Sequence, residues 1–470
     1  MRLTRRQLLY LGAGASVATL FGSSLFAGQS DRPVTRFIAQ PSQTRLGGAV
    51  SAFEQWSYPG FVEGRVLEGV AGDAWQVELE NALPVPTTLH WHGLRVPQIM
   101  DGVVPFGAEL VMPGQRYTYD VPLKDPGLYW FHSHHNSLEQ IARGLYGAIV
   151  VRDPDAIPVF EQVLVLDDWT TRTNAFGQRE IDWNPLEPSL AWGHAGVLGT
   201  LTTINGRTDP RIELNRRGPT RLRLLNVATG RVFRPQVLGS RSWLIALDGF
   251  DCVPLELSEP LFLAPGQRAD ILVEPPQSGD AQFDVGDGFF GTGTVLPFIR
   301  ARDRAMATEE YLAQHAVYSP SELRPDEIDQ RHELTMGAIH YDDPRGAGIM
   351  DGAWRSWEEL VDQHKYWVFN DVADGSRGLF TGRIGETVEL EIANNSSTHH
   401  VIHFHGQHVK VTHNDKTPTE VGAYRDSISL EAFSNATIQM RLAEPGKWPI
   451  HCHILGHQVS GMWTWYETLA

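Results

Sequence analysis

Two stretches near opposite ends of this 470-residue chain follow one plan, and the plan carries histidines at matched places. The first passes a turn at Gly72-Asp73 into the strand-like run Trp75-Gln76-Val77-Glu78-Leu79-Glu80 and reaches His90-Trp91-His92-Gly93. The second passes Gly385-Glu386 into Thr387-Val388-Glu389-Leu390-Glu391-Ile392 and reaches His403-Phe404-His405-Gly406. The likeness resumes downstream, where Pro126 and Gly127 lead to His132-Ser133-His134, and Pro445 and Gly446 lead to His451-Cys452-His453. A repeat of this kind means one supersecondary unit used twice. Short runs rich in Val, Leu, Ile, Thr and aromatics, bounded by Gly, Pro and Asn, make that unit a β-sandwich.

The middle third has similar strand-like runs, such as Arg221–Asn226 and Ala269–Val273, and no His-x-His pair. A chain of this length exceeds one hydrophobic core, so the expectation is an all-β protein of three consecutive sandwiches. Helical periodicity is confined to Thr308–His315 and Trp354–Gln363. The polar stretch at 301–335 reads as a linker into the last sandwich.

The N-terminus reads as an export signal. Thr4-Arg5-Arg6-Gln7-Leu8-Leu9 opens an apolar run to Ala27 that Gly12, Gly14, Gly22 and Ser23 interrupt, which disfavours a stable membrane anchor. The paired Arg5 and Arg6 resemble a twin-arginine signal, a route for proteins exported already folded. With only Cys252 and Cys452, an exported chain of this size is no disulfide scaffold. Cys252 lacks histidine neighbours and reads as a small buried hydrophobe. The formal charge of -17 argues against nucleic acid as a partner, because phosphate binding needs clustered Lys and Arg.

With 19 histidines in the chain, chance supplies about one His-x-His pair, so a set that fills matched places in a repeat demands a function. On a strand, residues i and i+2 share a face roughly 6.6 Å apart, which presents two imidazoles side by side. Pairs from both ends of the chain suit several metal ions at an interface between the terminal sandwiches, and imidazole alone does not choose among copper, zinc, iron and nickel. Cys452 does choose. Lying between His451 and His453, its side chain points to the opposite strand face, where it can meet His457, Met462 and His400. Two imidazoles, a thiolate and a weak axial thioether make a blue-copper electron-transfer site. The strand then joins that copper to His451 and His453. His135, His399, His408 and His413 lie off the ligand spacing and read as rim residues, while His194, His315, His332, His340 and His364 show no pattern.

These motifs, read as HWHG, HSH, HVIHFHG and HCHILGHQVSGM, resemble those of the three-domain multicopper oxidases, the family of laccases, bilirubin oxidases and cuprous oxidases. The resemblance spans nearly the whole mature chain. It implies three cupredoxin-like Greek-key β-sandwich domains at 31–155, 156–300 and 336–470, after a signal peptide at 1–30, in a bacterial protein that is periplasmic or secreted. It implies four copper ions: a type 1 copper on His400, Cys452, His457 and Met462, a type 2 copper on His90 and His403, and a type 3 pair on His92, His132 and His453 and on His134, His405 and His451. A small reducing substrate gives up electrons at the type 1 site, through the exposed edge of His457, and dioxygen is reduced to water at the other three ions. Water formation consumes protons, so a nearby carboxylate is expected, and Asp101 matches the family's acidic position. Many bacterial relatives carry a glutamate directly after the last type 1 histidine, where this chain has Gln458.

Asp101, His457 and Cys452 are thus the expected catalytic residues. Cuprous oxidases often carry a Met-rich insertion that binds soft metal ions. The eight methionines here form no cluster before the final domain, which favours a laccase-like enzyme acting on phenols or aromatic amines over a cuprous oxidase. Two other readings are a copper-free scaffold of the cell envelope, opposed by the complete ligand sets, and a copper nitrite reductase, opposed by the eight-histidine cluster.

Overall fold

The computed structural model describes residues 34–46, 50–276, 281–287, 294–301, 306–338 and 347–470. The expected export signal and His340 lie outside the described residues. Strands dominate, and they pair into sheets built from three successive stretches of chain.

In the first stretch, one sheet runs Phe53–Ser57, Val34–Thr44, Ala74–Asn81, Arg116–Pro122. Its partner runs Val66–Val70, Tyr146–Arg152, Gly127–His132, His90–His92. Alternation explains the packing: Val77 and Leu79 point inward while Gln76, Glu78 and Glu80 point outward. They meet Trp91, Tyr129, Phe131, Ile149 and Val151 of the facing sheet. The last stretch repeats this plan. Its first strand pairs in parallel with the strand of the repeat, Gln330–Met336 with Val388–Asn394, as Val34–Ala39 does with Gln76–Asn81. The middle stretch has the same parallel pair, Phe160–Leu166 with Thr220–Asn226. The architecture is therefore all-β, three consecutive cupredoxin-like sandwiches.

Each terminal sandwich places its His-x-His strands side by side. His90–His92 pairs with Gly127–His132 so that His90 faces His132. His400–Phe404 pairs with Gly446–Cys452 so that His403 faces His451 and Ile402 faces Cys452. One core cluster runs through all three stretches, with Trp130 and Val150 from the first, Val165, Trp169 and Val227 from the second, and Ile402, Ile450 and Met462 from the third.

The helices differ in part from expectation. Thr308–Gln314 is helical as expected. The second helix begins at Trp357 rather than Trp354, because Ser356 caps it: its hydroxyl accepts the Glu359 N–H and Glu359 accepts the Ser356 N–H in return. Residues Ala353–Ser356 instead form a hairpin strand with Ala347–Met350. Cys252 is half-buried rather than buried. No helix among the described residues is long and apolar enough to cross a membrane.

Tyr146 and Asp167 join the first two stretches. The Tyr146 hydroxyl donates to Asp167 Oδ2 at 2.6 Å, and the Asp168 N–H donates to Asp167 Oδ1 at 2.8 Å. Burial pushes the Asp167 carboxyl up to about 8 against these hydrogen bonds, with the neighbouring Asp168 charge adding to the rise. The folded state therefore holds this proton more tightly than the unfolded chain. Its stabilisation is complete below about pH 4 and is lost as pH rises to about 8, at up to about 1.4 kcal/mol per pH unit. Chemical unfolding followed across that range is expected to show a decline in stability that Asp167→Asn removes. An unchanged slope in the variant would contradict the assignment.

Candidate metal centre

The histidine pairs of the two terminal stretches meet. His92 and His403 stack with ring centroids 3.7 Å apart, and His90 and His405 lie at 4.1 Å. His134 and His451 are 5.2 Å apart, and His453 lies 5.0 Å from His92 and 5.6 Å from His132. The donor atoms of His134, His405 and His451 form one close group, those of His90, His403 and His405 a second, and those of His90, His92 and His132 a third. The first reproduces one expected ligand trio; in the third, His90 stands where His453 was expected, although the His453 ring adjoins the other two.

Nitrogen bookkeeping tests whether metal ions fit. Outward-facing nitrogens are held from behind: His90 Nδ1 by the Asp101 carbonyl at 3.0 Å, His132 Nδ1 by the Ser133 carbonyl at 3.0 Å, and His403 Nδ1 by the Asp426 carbonyl at 2.9 Å. His451 Nδ1 meets the Cys452 carbonyl at 3.0 Å and His405 Nδ1 meets Asp101 Oδ2 at 2.8 Å. His92 is turned the other way round, with Nε2 on Asp426 Oδ1 at 3.1 Å. The inward nitrogens, His90 Nε2, His92 Nδ1, His132 Nε2, His403 Nε2 and His453 Nε2, are buried without a hydrogen-bond partner. Nε2 of His451 faces only other Nε2 atoms, those of His405 at 3.0 Å and His134 at 3.3 Å. Buried polar atoms are rarely left unmatched. Lone pairs converging in this way fit metal ions.

Next to His451 on the strand Gly446–Cys452, Cys452 brings the expected blue-copper residues together. Cys452 Sγ lies 3.7 Å from His400 Nδ1 and 3.6 Å from His457 Nδ1, which are 3.0 Å from each other. Met462 is buried and tied to both neighbours, its N–H donating to the His457 carbonyl and its carbonyl accepting the Cys452 N–H. Trp367 covers both imidazoles, at 4.6 and 4.7 Å. The outer nitrogen of His400 is held by the Ser396 hydroxyl at 2.9 Å.

His457 departs from expectation. Its edge is not exposed but fully buried, because Nε2–H donates to the His194 carbonyl of the middle stretch at 2.6 Å. His194, without any pattern in the sequence, is thus a residue of this site.

Electrostatics favour neutral ligands. Burial first, and neighbouring imidazoles second, hold His132, His134, His405, His451 and His453 far below the ordinary histidine range. Burial pushes His457 down to about 4, against the hydrogen bond to His194, and pushes the Cys452 thiol up to about 12. Neutral imidazole is the metal-binding form, and only a cation at the sulfur makes the thiolate favourable.

Asp101 is buried between two ligands, with Oδ1 3.1 Å from His90 Nδ1 and Oδ2 on His405. It sits in a tight turn: Gly102 has φ +79°, and a Cβ there would overlap the Leu89 carbonyl. Gln458 accepts a hydrogen bond from Ser137 at 2.9 Å and lines a cavity of about 230 Å³ that has His134 and His451 in its walls.

Sequence reasoning missed Asp426 and Arg268. Asp426 holds His92 and receives both arms of Arg268, at 2.7 and 2.5 Å. Burial alone would raise the Asp426 carboxyl, but Arg268 and His92 outweigh it and leave it well below the usual range. His408, off the ligand spacing, backs the same carboxylate at 3.3 Å.

The chain is similar to known multicopper oxidases. Models of the family described as multicopper oxidase match residues 43–156 and 358–469. The chain is 26% identical to the multicopper oxidase MmcO of Mycobacterium tuberculosis, over 96% of this chain and 90% of that one. It is 26% identical to copper resistance protein A of Escherichia coli over 66% of this chain and 55% of that one. A multi-copper oxidase crystal structure from Pseudomonas thermotolerans superposes with a TM-score of 0.77 at 25% identity, covering 94% of this chain and all of that one.

Removing Asp426 takes away the carboxylate that receives both arms of the buried Arg268, leaving it the more distant Asp248 carboxylate at 3.5 Å and backbone carbonyls. Asp426→Ala is expected to lower the stability of the metal-free protein by about 3–5 kcal/mol, whereas Asp426→Ala with Arg268→Met recovers much of that loss. Denaturant unfolding of the three proteins checks this; a single variant as stable as the parent would contradict the ion pair's role.

Proposed function

The chain belongs to the multicopper oxidase family, and on that premise we propose that it takes single electrons from a small donor at His400, Cys452, His457 and Met462 and reduces dioxygen to water at the eight-histidine cluster. Members of this family are oxidoreductases that use dioxygen and a reducing substrate. The observation that carries the assignment is the set of buried, unpartnered ring nitrogens converging from both ends of the chain, joined to Cys452 through the strand Gly446–Cys452.

In this reading the protein holds four copper ions. His90 and His403 hold the type 2 ion, and His92, His132, His453 and His134, His405, His451 hold the type 3 pair. Copper so bound supplies one-electron acceptance beside the thiolate and multi-electron delivery to dioxygen at the cluster. The protein's own contribution is positioning. Backbone carbonyls behind His90, His132, His403 and His451 fix which nitrogen carries the proton. Trp367 excludes water from His400 and His457. Cys452 stands between His451 and His453, so one strand connects the two sites by covalent bonds. Asp101 Oδ2 accepts the hydrogen bond of His405 Nδ1–H, which puts a carboxylate beside the cluster's proton demand. Gln458 and Ser137 line the cavity beside His134 and His451; an amide there orients water but does not act as an acid.

For the donor, the scarcity of methionine supports phenols or aromatic amines, a laccase-like activity. A second reading, oxidation of a metal ion such as Cu(I), draws support from the burial of His457 and from similarity to copper resistance proteins. We also propose export by the twin-arginine route to the periplasm or beyond, with domain boundaries at 31–155, 156–300 and 336–470.

Copper-loaded protein is expected to bind about four ions per chain, with a blue absorption band and type 1 and type 2 EPR signals. Cys452→Ser should abolish the band and oxidase activity toward every donor. Turnover of a phenol against Cu(I), with and without added copper, separates the two donor classes. Copper near zero in the parent protein, or activity surviving in the variant, would overturn the proposal.

A further inference from the structure

The middle stretch supplies none of the expected copper ligands, yet it closes the site at His457. The segment Trp192–Val197 lies against the short helix Leu455–Val459, and its His194 carbonyl accepts a hydrogen bond from His457 Nε2–H. The contact is built by close backbone approach. A Cβ on Gly456 would lie 3.1 Å from Gly196 Cα and 3.2 Å from the Trp192 Cα and carbonyl oxygen. A Cβ on Gly196, where φ is +74°, would lie 2.7 Å from Ile454 Cγ2. The segment is also stapled from behind, since the Leu455 N–H donates to the Thr229 carbonyl at 2.8 Å and the Thr229 hydroxyl donates to the Val197 carbonyl at 3.2 Å. With Trp367 over the ring and His194 on its outer nitrogen, His457 offers no atom to a donor in solution. The His194 residue, by contrast, is exposed at the surface.

We propose that the His194 peptide is the port through which donors reach the thiolate site, with the exposed His194 imidazole as the docking group for a small metal-ion donor such as Cu(I). This deepens the second donor reading above, oxidation of a metal ion, in preference to the phenol reading, and rests on His400, Cys452 and His457 as the blue-copper ligands. In each event a Cu(I) donor loses one electron and leaves as Cu(II), with no proton released. The electron crosses the His194 O···H–Nε2 His457 hydrogen bond and is finally consumed, with protons from solvent, by dioxygen, the oxidant of the activity proposed above. The carbonyl acts as a positioning group. It fixes the tautomer that leaves His457 Nδ1 facing Cys452, and by accepting the Nε2–H hydrogen bond it makes the imidazole a stronger donor to the metal. Bulky phenols, which gain from a hydrogen bond to the imidazole edge, are disfavoured while the segment is in place.

Two variants of the copper-loaded enzyme test this. Gly196→Ala displaces the segment; His194→Ala removes the imidazole and keeps the carbonyl. The readouts are the potential of the blue site, by poised optical titration, and kcat and KM with Cu(I) and with 2,6-dimethoxyphenol. Gly196→Ala is expected to keep the blue band, raise the potential and raise kcat/KM for the phenol about threefold or more. His194→Ala is expected to keep the band and potential and to raise KM for Cu(I) about threefold with kcat unchanged. If Gly196→Ala fails to fold, the Cu(I) KM of His194→Ala decides alone. Kinetics and potentials equal to the parent's would overturn the port. A parent enzyme with no blue band would instead overturn the ligand assignment beneath it.

Discussion

Six of the buried imidazoles, His90, His92, His132, His403, His405 and His451, are each anchored through one ring nitrogen and leave the other aimed at a common space. Carbonyls of Asp101, Ser133, Asp426 and Cys452 do the anchoring for four of them, and carboxylates of Asp101 and Asp426 serve His405 and His92. Without cations the inward lone pairs are unmatched, and so many buried polar atoms are costly. The fold must therefore hold the rings in place by other means. It does so with strand pairing, His90 opposite His132 and His403 opposite His451, and with a charged layer behind the rings in which Asp426, Arg268 and Asp248 are almost fully enclosed.

That charged layer ties all three sandwiches to the cluster. Arg268 and Asp248 come from the middle stretch and Asp426 and Arg425 from the last, while Arg268 also donates to the Leu128 carbonyl of the first. The middle sandwich, devoid of the histidine motifs, thus acts twice. It braces His92 from behind through Arg268 and Asp426, and it covers His457 through His194. A site shared by two ends of a chain needs a third body to fix their register, and this one serves.

The parts legible in the sequence are those with a local period. Alternation along a strand made the His-x-His pairs and the opposed direction of Cys452 readable, and the repeat showed that the two ends share one plan. Asp101 was readable because it follows HWHG closely, although its contact to His405 spans 304 residues. Asp426 and His194 were not readable. They meet His92 and His457 across 334 and 263 residues, from loops with no periodic signature. For the same reason the exposed edge expected for His457 was wrong: motif spacing places a ligand but does not tell which distant loop covers it. The late start of the helix at Trp357 shows the local counterpart, where one capping serine outweighed the periodicity of the preceding residues.

The claim most open to direct test is that imidazoles from both ends of the chain enclose three ions while Cys452 holds a fourth. Anomalous scattering at the copper edge from crystals of the copper-loaded protein answers it. The account expects about four peaks, three inside the ring of His90, His92, His132, His134, His403, His405, His451 and His453 and one among His400, Cys452 and His457. Peaks elsewhere on the molecule, or an empty space among the eight rings, would contradict it.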